Sequence, residues 1–518
     1  PVVITKDGQI KGITVDKAHV FYGVPYASPP VGAYRWKPPR PVSPWHGVYD
    51  ASFPRAACMQ FCSKAITEEC PKSVSEDCLY LNIFVPLDVD LSSPLQSHLP
   101  VMVWIHGGDF IAGSASKPLY DGRFISNFTH SVVVSLEYRL AFGFLVSGKD
   151  PHTSAAGNYG ILDQQAALLW VQQNIAVFGG DPAKVTVFGE SAGAQSVSLH
   201  LMIQSSKPLF NQAILQSLPF SIPLKTHDAL KLGKDFAKQT NCSVSDFVCL
   251  LSLTPQAILA AQMKTSKILN PFRFLEVFET WGPYIDGKLI KEQAVTAFQK
   301  GHWQKEKPIL LTTSEEGVLF AYGVFNKPVS TVECTVYITA IFKQHTLQIL
   351  HKYLPLYRDA DHRNMLAQIV TDFVFLCPSR RSACAGTAAG SKFWMYVFDH
   401  VISDRSVWSG LTFCYEHSCH GAELPFLFHS ASVANFTLSP SEKLLSNRML
   451  CYWGAFAHTG DPSSRSQQTT FCREQRLPIW PRYSDTSGFL VMNLTVRSHT
   501  QAGTRNHICD FWDQLGIY

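Results

Sequence analysis

Val185-Thr-Val-Phe-Gly-Glu-Ser-Ala-Gly193 joins an apolar strand candidate to Gly189-x-Ser191-x-Gly193, and the helix-forming run Ala194 to Ile203 follows directly. Glycines two places before and two after the serine relieve the crowding of a sharp strand-to-helix turn and leave the hydroxyl exposed. The stretch reads as a nucleophile elbow with Ser191 as the candidate nucleophile. Gly-x-Ser-x-Gly alone recurs by chance, so the strand-turn-helix setting carries the weight. An unactivated serine also needs a base, a group that orients the base, and donors for an oxyanion.

Upstream, Val101-Met-Val-Trp-Ile105 suits a buried parallel strand and opens into His106-Gly107-Gly108-Asp109-Phe110. Adjacent glycines at a strand end let backbone N–H groups point into a cavity, as an oxyanion hole requires. Ser131-Val-Val-Val-Ser135 reads as a second strand. Beyond Gly157-Asn-Tyr-Gly160 comes a helix expected to bury Leu162, Ala166, Leu169 and Trp170 and to stop at Phe178-Gly-Gly-Asp-Pro182. Further strands are expected at Ala213 to Gln216, Pro308 to Thr312 and Phe393 to Phe398. The alternation predicts an α/β fold, a large parallel sheet with helices on both faces. Catalytic groups gather at the carboxyl ends of such strands. There the sequence offers an acid in Ser314-Glu315-Glu316-Gly317 and a base in Cys419-His420-Gly421-Ala422-Glu423. The order Ser191, Glu316, His420 is that of an α/β-hydrolase.

A chain of 518 residues, 46% hydrophobic and 16% charged with net charge +4, has ample material for a core. It shows no internal repeat and no long linker, so one domain over 1–518 is expected. The positive charge is dispersed, which argues against nucleic acid as a partner. No apolar run approaches the roughly 20 residues of a membrane span. Pro1-Val-Val-Ile looks like a strand from the outset, so any secretory signal is expected to have been removed or left out. Fourteen cysteines and Asn-x-Ser/Thr sequons at Asn127, Asn241, Asn435 and Asn493 point together to a secreted or lumenal glycoprotein. No zinc-like spacing, phosphate loop or dinucleotide fingerprint is present, so neither metal nor cofactor is expected.

Longer stretches carry a resemblance. Phe21-Tyr-Gly-Val-Pro-Tyr-Ala, in a Pro- and aromatic-rich segment to Trp45 that reads as irregular, Ser75-Glu-Asp-Cys-Leu-Tyr-Leu-Asn82, Asn174-Ile-Ala-Val-Phe-Gly-Gly-Asp-Pro182 and Trp480-Pro-Arg-Tyr483 resemble the type-B carboxylesterase and cholinesterase family over nearly the whole chain. The resemblance implies a deep gorge, a Ser191, Glu316, His420 triad, and oxyanion donors at Gly108, Asp109 and Ala192 beside Gly107. It also implies an acidic gorge residue at Glu190 and a buried serine near the triad at Ser217. Disulfides would carry over as Cys58 with Cys78, Cys242 with Cys249 and Cys377 with Cys509. Eight further cysteines leave many pairings open, with Cys62 to Cys70 the first choice. Two C-terminal helices would, as in relatives, build a four-helix homodimer. The ligand implied is a small-molecule ester.

Four positions depart from the family. The Cys58–Cys78 loop has no tryptophan to hold a quaternary ammonium, and Leu319 replaces a choline-side aromatic, although Phe320 remains. A neutral ester of closer carboxylesterase type is therefore expected. Leu218 stands where glycine is frequent and is expected to narrow the acyl side towards short or medium chains. Asp109 replaces a small residue of the oxyanion turn. A carboxylate about 4 Å from an oxyanion repels it by roughly 4 kcal/mol at an effective dielectric of about 20, as much as one donor of about 3 to 4 kcal/mol supplies. Three alternatives follow: Asp109 turns away or is protonated; turnover is impaired and the chain serves binding, adhesion or storage; or the carboxylate positions water to release stubborn adducts such as phosphoryl-serine.

Overall fold

The apolar runs pair side by side in the computed structural model, which describes every residue except 63–69, 149–155, 266–278, 467 and 504. The principal sheet has eleven strands. In chain order they are β1 (Ile13–Val15), β2 (Ala18–Pro25), β3 (Tyr80–Pro86), β4 (Leu99–Ile105), β5 (Val132–Leu136), β6 (Gly180–Glu190), β7 (Gln212–Gln216), β8 (Ile309–Thr313), β9 (Phe393–Phe398), β10 (Leu490–Leu494) and β11 (His499–Ala502). Their spatial order is β1-β2-β3-β5-β4-β6-β7-β8-β9-β10-β11. The strands from β5 across to β10 are parallel. Both margins are antiparallel. The expected α/β class, a mostly parallel sheet consistent with the α/β-hydrolase fold, is the one observed.

Side chains alternate across the sheet. Val101, Val103 and Ile105 enter a core with Ile161, Leu168 and Val171. Met102 and Trp104 enter the opposite core with Tyr120, Ile125 and Phe428. Covered on both faces, the strands read as continuous apolar runs. Three helices bear on the site: α1 (Tyr159–Asn174), α2 (Ala192–Met202) and α3 (Glu316–Val324).

Three local expectations need correction. In α1, Leu169 is exposed and Leu162 and Ala166 are only partly buried, while Ile161, Ala167, Leu168 and Val171 face inward with Trp170. Polar residues disguise that face. Buried Asp163 holds Arg139 at 2.7 Å, and Gln164 bonds Ser196 and His200. Secondly, Gly179, with φ 87°, does end the helical segment after Phe178, but Gly180 to Pro182 already begin β6, with Gly180 paired to Leu99. Thirdly, Phe21 to Pro25 belong to β2, so the segment to Trp45 is irregular only beyond it.

The three disulfides implied by resemblance are present, as is Cys62–Cys70; Cys414–Cys419 and Cys451–Cys472 complete six. Such a set accords with an oxidising, secretory route. Asn127, Asn241 and Asn435 are exposed. Asn493 is not: it lies buried in β10 with Nδ2 donating to Asp399 at 3.4 Å, so the structure speaks against a glycan there. Among the described residues no helix is long and apolar enough to cross a membrane.

Candidate active site

The sheet places the site by topology. From β4 the chain crosses to β5 on one side and returns to β6 on the other. A crevice therefore opens outside the carboxyl ends of these neighbouring strands. His106 to Asp109 leave β4 there, and Ser191 leaves β6.

The turn at Ser191 is very tight. A Cβ at Gly193 would overlap the Ile105 carbonyl oxygen, and one at Gly189 would lie 2.5 Å from the Gly193 carbonyl carbon. Only glycine lets α2 start this close to β4. Ser191 itself has φ 59° and ψ −118°, and its N–H donates to Gln216 O at 3.0 Å. Strain of this kind, about 1–3 kcal/mol, persists only where surrounding structure holds it.

The candidate oxyanion turn after β4 is equally constrained. Gly108, Asp109 and Phe110 all have positive φ, at 125°, 56° and 62°. The Gly108 carbonyl accepts from Ile111 N at 3.0 Å and Ala112 N at 3.1 Å. Gly107 lies against Ser191, since a Cβ there would approach Ser191 Cβ to 3.2 Å. From the first disulfide loop, Gln60 braces the turn: Nε2 donates to Gly113 O at 2.7 Å while Oε1 accepts Gly113 N at 2.9 Å. Gln60 belongs to no motif, so sequence reasoning missed it.

Glu316 opens α3 just beyond β8, fully buried, and Oε2 faces His420 Nδ1 at 3.4 Å. Its Oε1 accepts from Ser217 Oγ at 2.9 Å and from Ser314 Oγ. Ser217, itself buried, thus holds the Glu316 carboxylate. The neighbouring Glu315 turns away to His417 at 2.6 Å. His420 Nε2 lies 3.1 Å from Glu190 Oε1, poorly aligned for a hydrogen bond, and no hydrogen bond links it to Ser191. Its ring is flanked by Phe320 and Phe375, with centroids at 5.1 and 5.4 Å. Phe375 was missed because it lies in a buried apolar run with no periodic signal of its own.

Burial opposes charge on His420, but the Glu190 and Glu316 carboxylates outweigh it and raise the imidazole well above its ordinary value. Burial raises Glu190, against the pull of His420. Glu423, quoted in the sequence without a role, is raised by burial and by Glu190 and Glu316, and receives Gln216 Nε2 at 3.3 Å. Asp109 is raised to about 6 by burial, with His420 opposing. Nearby Glu279, also buried and without a motif, is raised by burial and by Asp109. Acids therefore surround the base on several sides.

Gly107, Gly108, Asp109, Glu190, Ser191 and His420 line one cavity of about 600 Å³. Leu319 and Phe320 also line it. Leu218 does not: it is buried in the sheet core, so the expected narrowing of the acyl side has no basis there.

Residues 1–512 match the Carboxylesterase family. The chain belongs to this family. Similar proteins include the cAMP-regulated D2 protein of Dictyostelium discoideum, 36% identical over 468 residues that cover 89% of this chain and 84% of the relative. The crystal protein of the same organism is 33% identical over 520 residues, covering 99% and 90%. An acetylcholinesterase of Bungarus fasciatus is 35% identical over 548 residues, covering 99% and 86%. The Carboxylesterase family is one of carboxylic ester hydrolases. Among the described residues there is no group of three or more His, Cys, Asp or Glu able to hold a metal ion.

Proposed function

We propose that this chain is a secreted or lumenal serine carboxylesterase, working as one domain, that cleaves neutral esters through an acyl-enzyme on Ser191. The observation that carries the reading is the meeting in one cavity of a strained Ser191 elbow, the positive-φ turn at Gly108–Asp109 and His420, which is backed by buried Glu316.

In the reaction, His420 Nε2 leaves Glu190, which removes the largest contribution raising the imidazole, and the ring, its proton lost to solvent, faces Ser191 Oγ and takes its proton as the oxygen attacks the ester carbonyl. Glu316 holds the ring by Nδ1 and stabilises the imidazolium, assisted by Glu190. The N–H groups of Gly108, Asp109 and Ala192 receive the oxyanion. His420 then protonates the leaving alcohol, and water repeats the sequence to release the acid. Neutral substrates follow from the loop without tryptophan and from Leu319 on the wall. The cavity has room for a short or medium acyl group with its alcohol.

Asp109 decides how freely this runs. With its carboxyl raised to about 6, the neutral form dominates below that pH and spares the oxyanion; above it the carboxylate repels. A second reading, a member that binds or is stored instead of turning over, draws on two observations: Nε2 rests against Glu190, and Asp109 sits in the oxyanion turn. The third use of Asp109, positioning water on a phosphoryl adduct, requires its ionised form.

A fluorophosphonate probe separates the first two readings. Labelling of the wild type, mapped to Ser191 by peptide mass and absent in Ser191→Ala, is the expected result. An unlabelled wild type favours the binding protein.

A further inference from the structure

Within the candidate triad, His420 Nδ1 and Glu316 Oε2 meet at a long 3.4 Å. The residues just before each partner meet much more closely. Glu315 forms a parallel bridge with Cys419, its N–H donating to Ser418 O at 2.9 Å. Glu315 Oε1 accepts Ser418 N at 3.3 Å, and Oε2 meets His417 Nδ1 at 2.6 Å. Cys414–Cys419, with both residues buried, closes a small ring that ends immediately before His420. Two His–Glu pairs therefore run side by side, one at the cavity floor and one half-exposed behind it.

We propose that Glu315 and His417 are positioning residues, a second His–Glu pair that sets the approach of His420 to Glu316. The inference rests on the esterase reading for its kinetic consequence. Their charges support each other: hydrogen bonding to Glu315, against some desolvation, raises His417, and its proton outweighs burial to lower Glu315.

The pair's effect is on placement and not on stability. A half-exposed ion pair contributes little to folding, and its loss should barely move the melting temperature. Misplacing a catalytic group by about 1 Å, in contrast, costs up to about 100-fold in rate. Nor is the ring alone enough: it shapes the loop before His420, and Glu315 ties that loop to the turn carrying Glu316 by a backbone bridge and a side-chain pair.

The test uses the full chain as wild type, Glu315→Gln, His417→Gln and the double variant. Sites are counted with fluorophosphonate and p-nitrophenyl butyrate is the substrate. Each single variant should lose about tenfold in kcat per titrated site at unchanged KM, and the double should lose no more, since the two act as one unit. The acid limb of kcat/KM should move to lower pH, because a looser Glu316 stabilises the imidazolium less. The downfield proton resonance of His420 Nδ1 should shift or broaden in every variant, a readout that does not need turnover. Wild-type kcat per site, wild-type acid limb and an unmoved resonance in both singles would overturn the inference, as would a loss explained wholly by fewer titratable sites. A wild type that neither labels nor turns over defeats the esterase reading instead, and the resonance then decides the positioning of His420 by itself.

Discussion

The two halves of the site are held together differently. On the nucleophile side, β4 and β6 are adjacent and parallel, and the turn between Glu190 and Ala192 is fixed by backbone atoms in close approach at Gly107, Gly189 and Gly193. On the acid–base side, Glu316 and His420 lie 104 residues apart and meet through side chains: Ser217 and Ser314 on the acid, Phe320 and Phe375 on the ring, Glu315 with His417 behind. Backbone packing tolerates no substitution and leaves a contiguous motif. Side-chain scaffolding tolerates adjustment and leaves scattered single residues. The nucleophile side should therefore fail by misfolding, and the acid–base side by losing rate while remaining folded.

The largest expected effect is at Gly193. Gly193→Ala would drive a methyl group into the Ile105 carbonyl, and urea unfolding should show a loss of about 3 kcal/mol or more, or no folded protein at all. Glu316→Gln on the other side should unfold at a urea concentration near the wild type's and still lose roughly 1,000-fold or more in kcat, a contrast that would sharpen the comparison. If Glu316→Gln unfolds as readily as Gly193→Ala, the comparison breaks.

Between these extremes lies Gln60, a side-chain brace on the backbone half. Gln60→Ala frees the Gly113 N–H and carbonyl, and kcat should fall about tenfold with KM little changed, as for a misaligned oxyanion donor. A pure KM effect would place Gln60 on the substrate side instead.

The smallest effect concerns Asp109, and its sign depends on pH. Its folded pKa, about 6, lies above its ordinary 3.8, so the carboxyl is neutral below about pH 6 and charged above. Asp109→Asn should leave ester turnover little changed at pH 5 and raise kcat several-fold at pH 8, where the wild type carries a repelling charge. Stability shifts the same way: the folded wild type holds the proton longer than the unfolded chain, so it loses stability as pH rises from about 4 to 6, and the variant should not. A variant slower than the wild type at pH 8 would show that the carboxylate assists.

This division also explains what was legible in the sequence. The elbow, the glycine turn and the strands carrying them are short contiguous texts, because a tight backbone turn demands particular residues at particular offsets. Glu316 and His420 were legible only through their place after strands and through family resemblance. Gln60, Phe375, Glu279 and the role of Glu423 left no trace, since each works through one long-range side-chain contact that no local spacing encodes. Leu218 was misjudged for the related reason that the residue after Ser217 turns into the core, a direction its neighbours in sequence do not reveal. In α1 the polar pairs of Asp163 and Gln164 hid the inward face.

The most direct test is hydrolysis of p-nitrophenyl esters from acetate to octanoate by the wild type and by Ser191→Ala at pH 6, where about half of Asp109 is uncharged. Turnover by the wild type that falls by roughly 10,000-fold or more in the variant is predicted. Equal, background-level rates for both proteins on every ester would contradict a serine esterase.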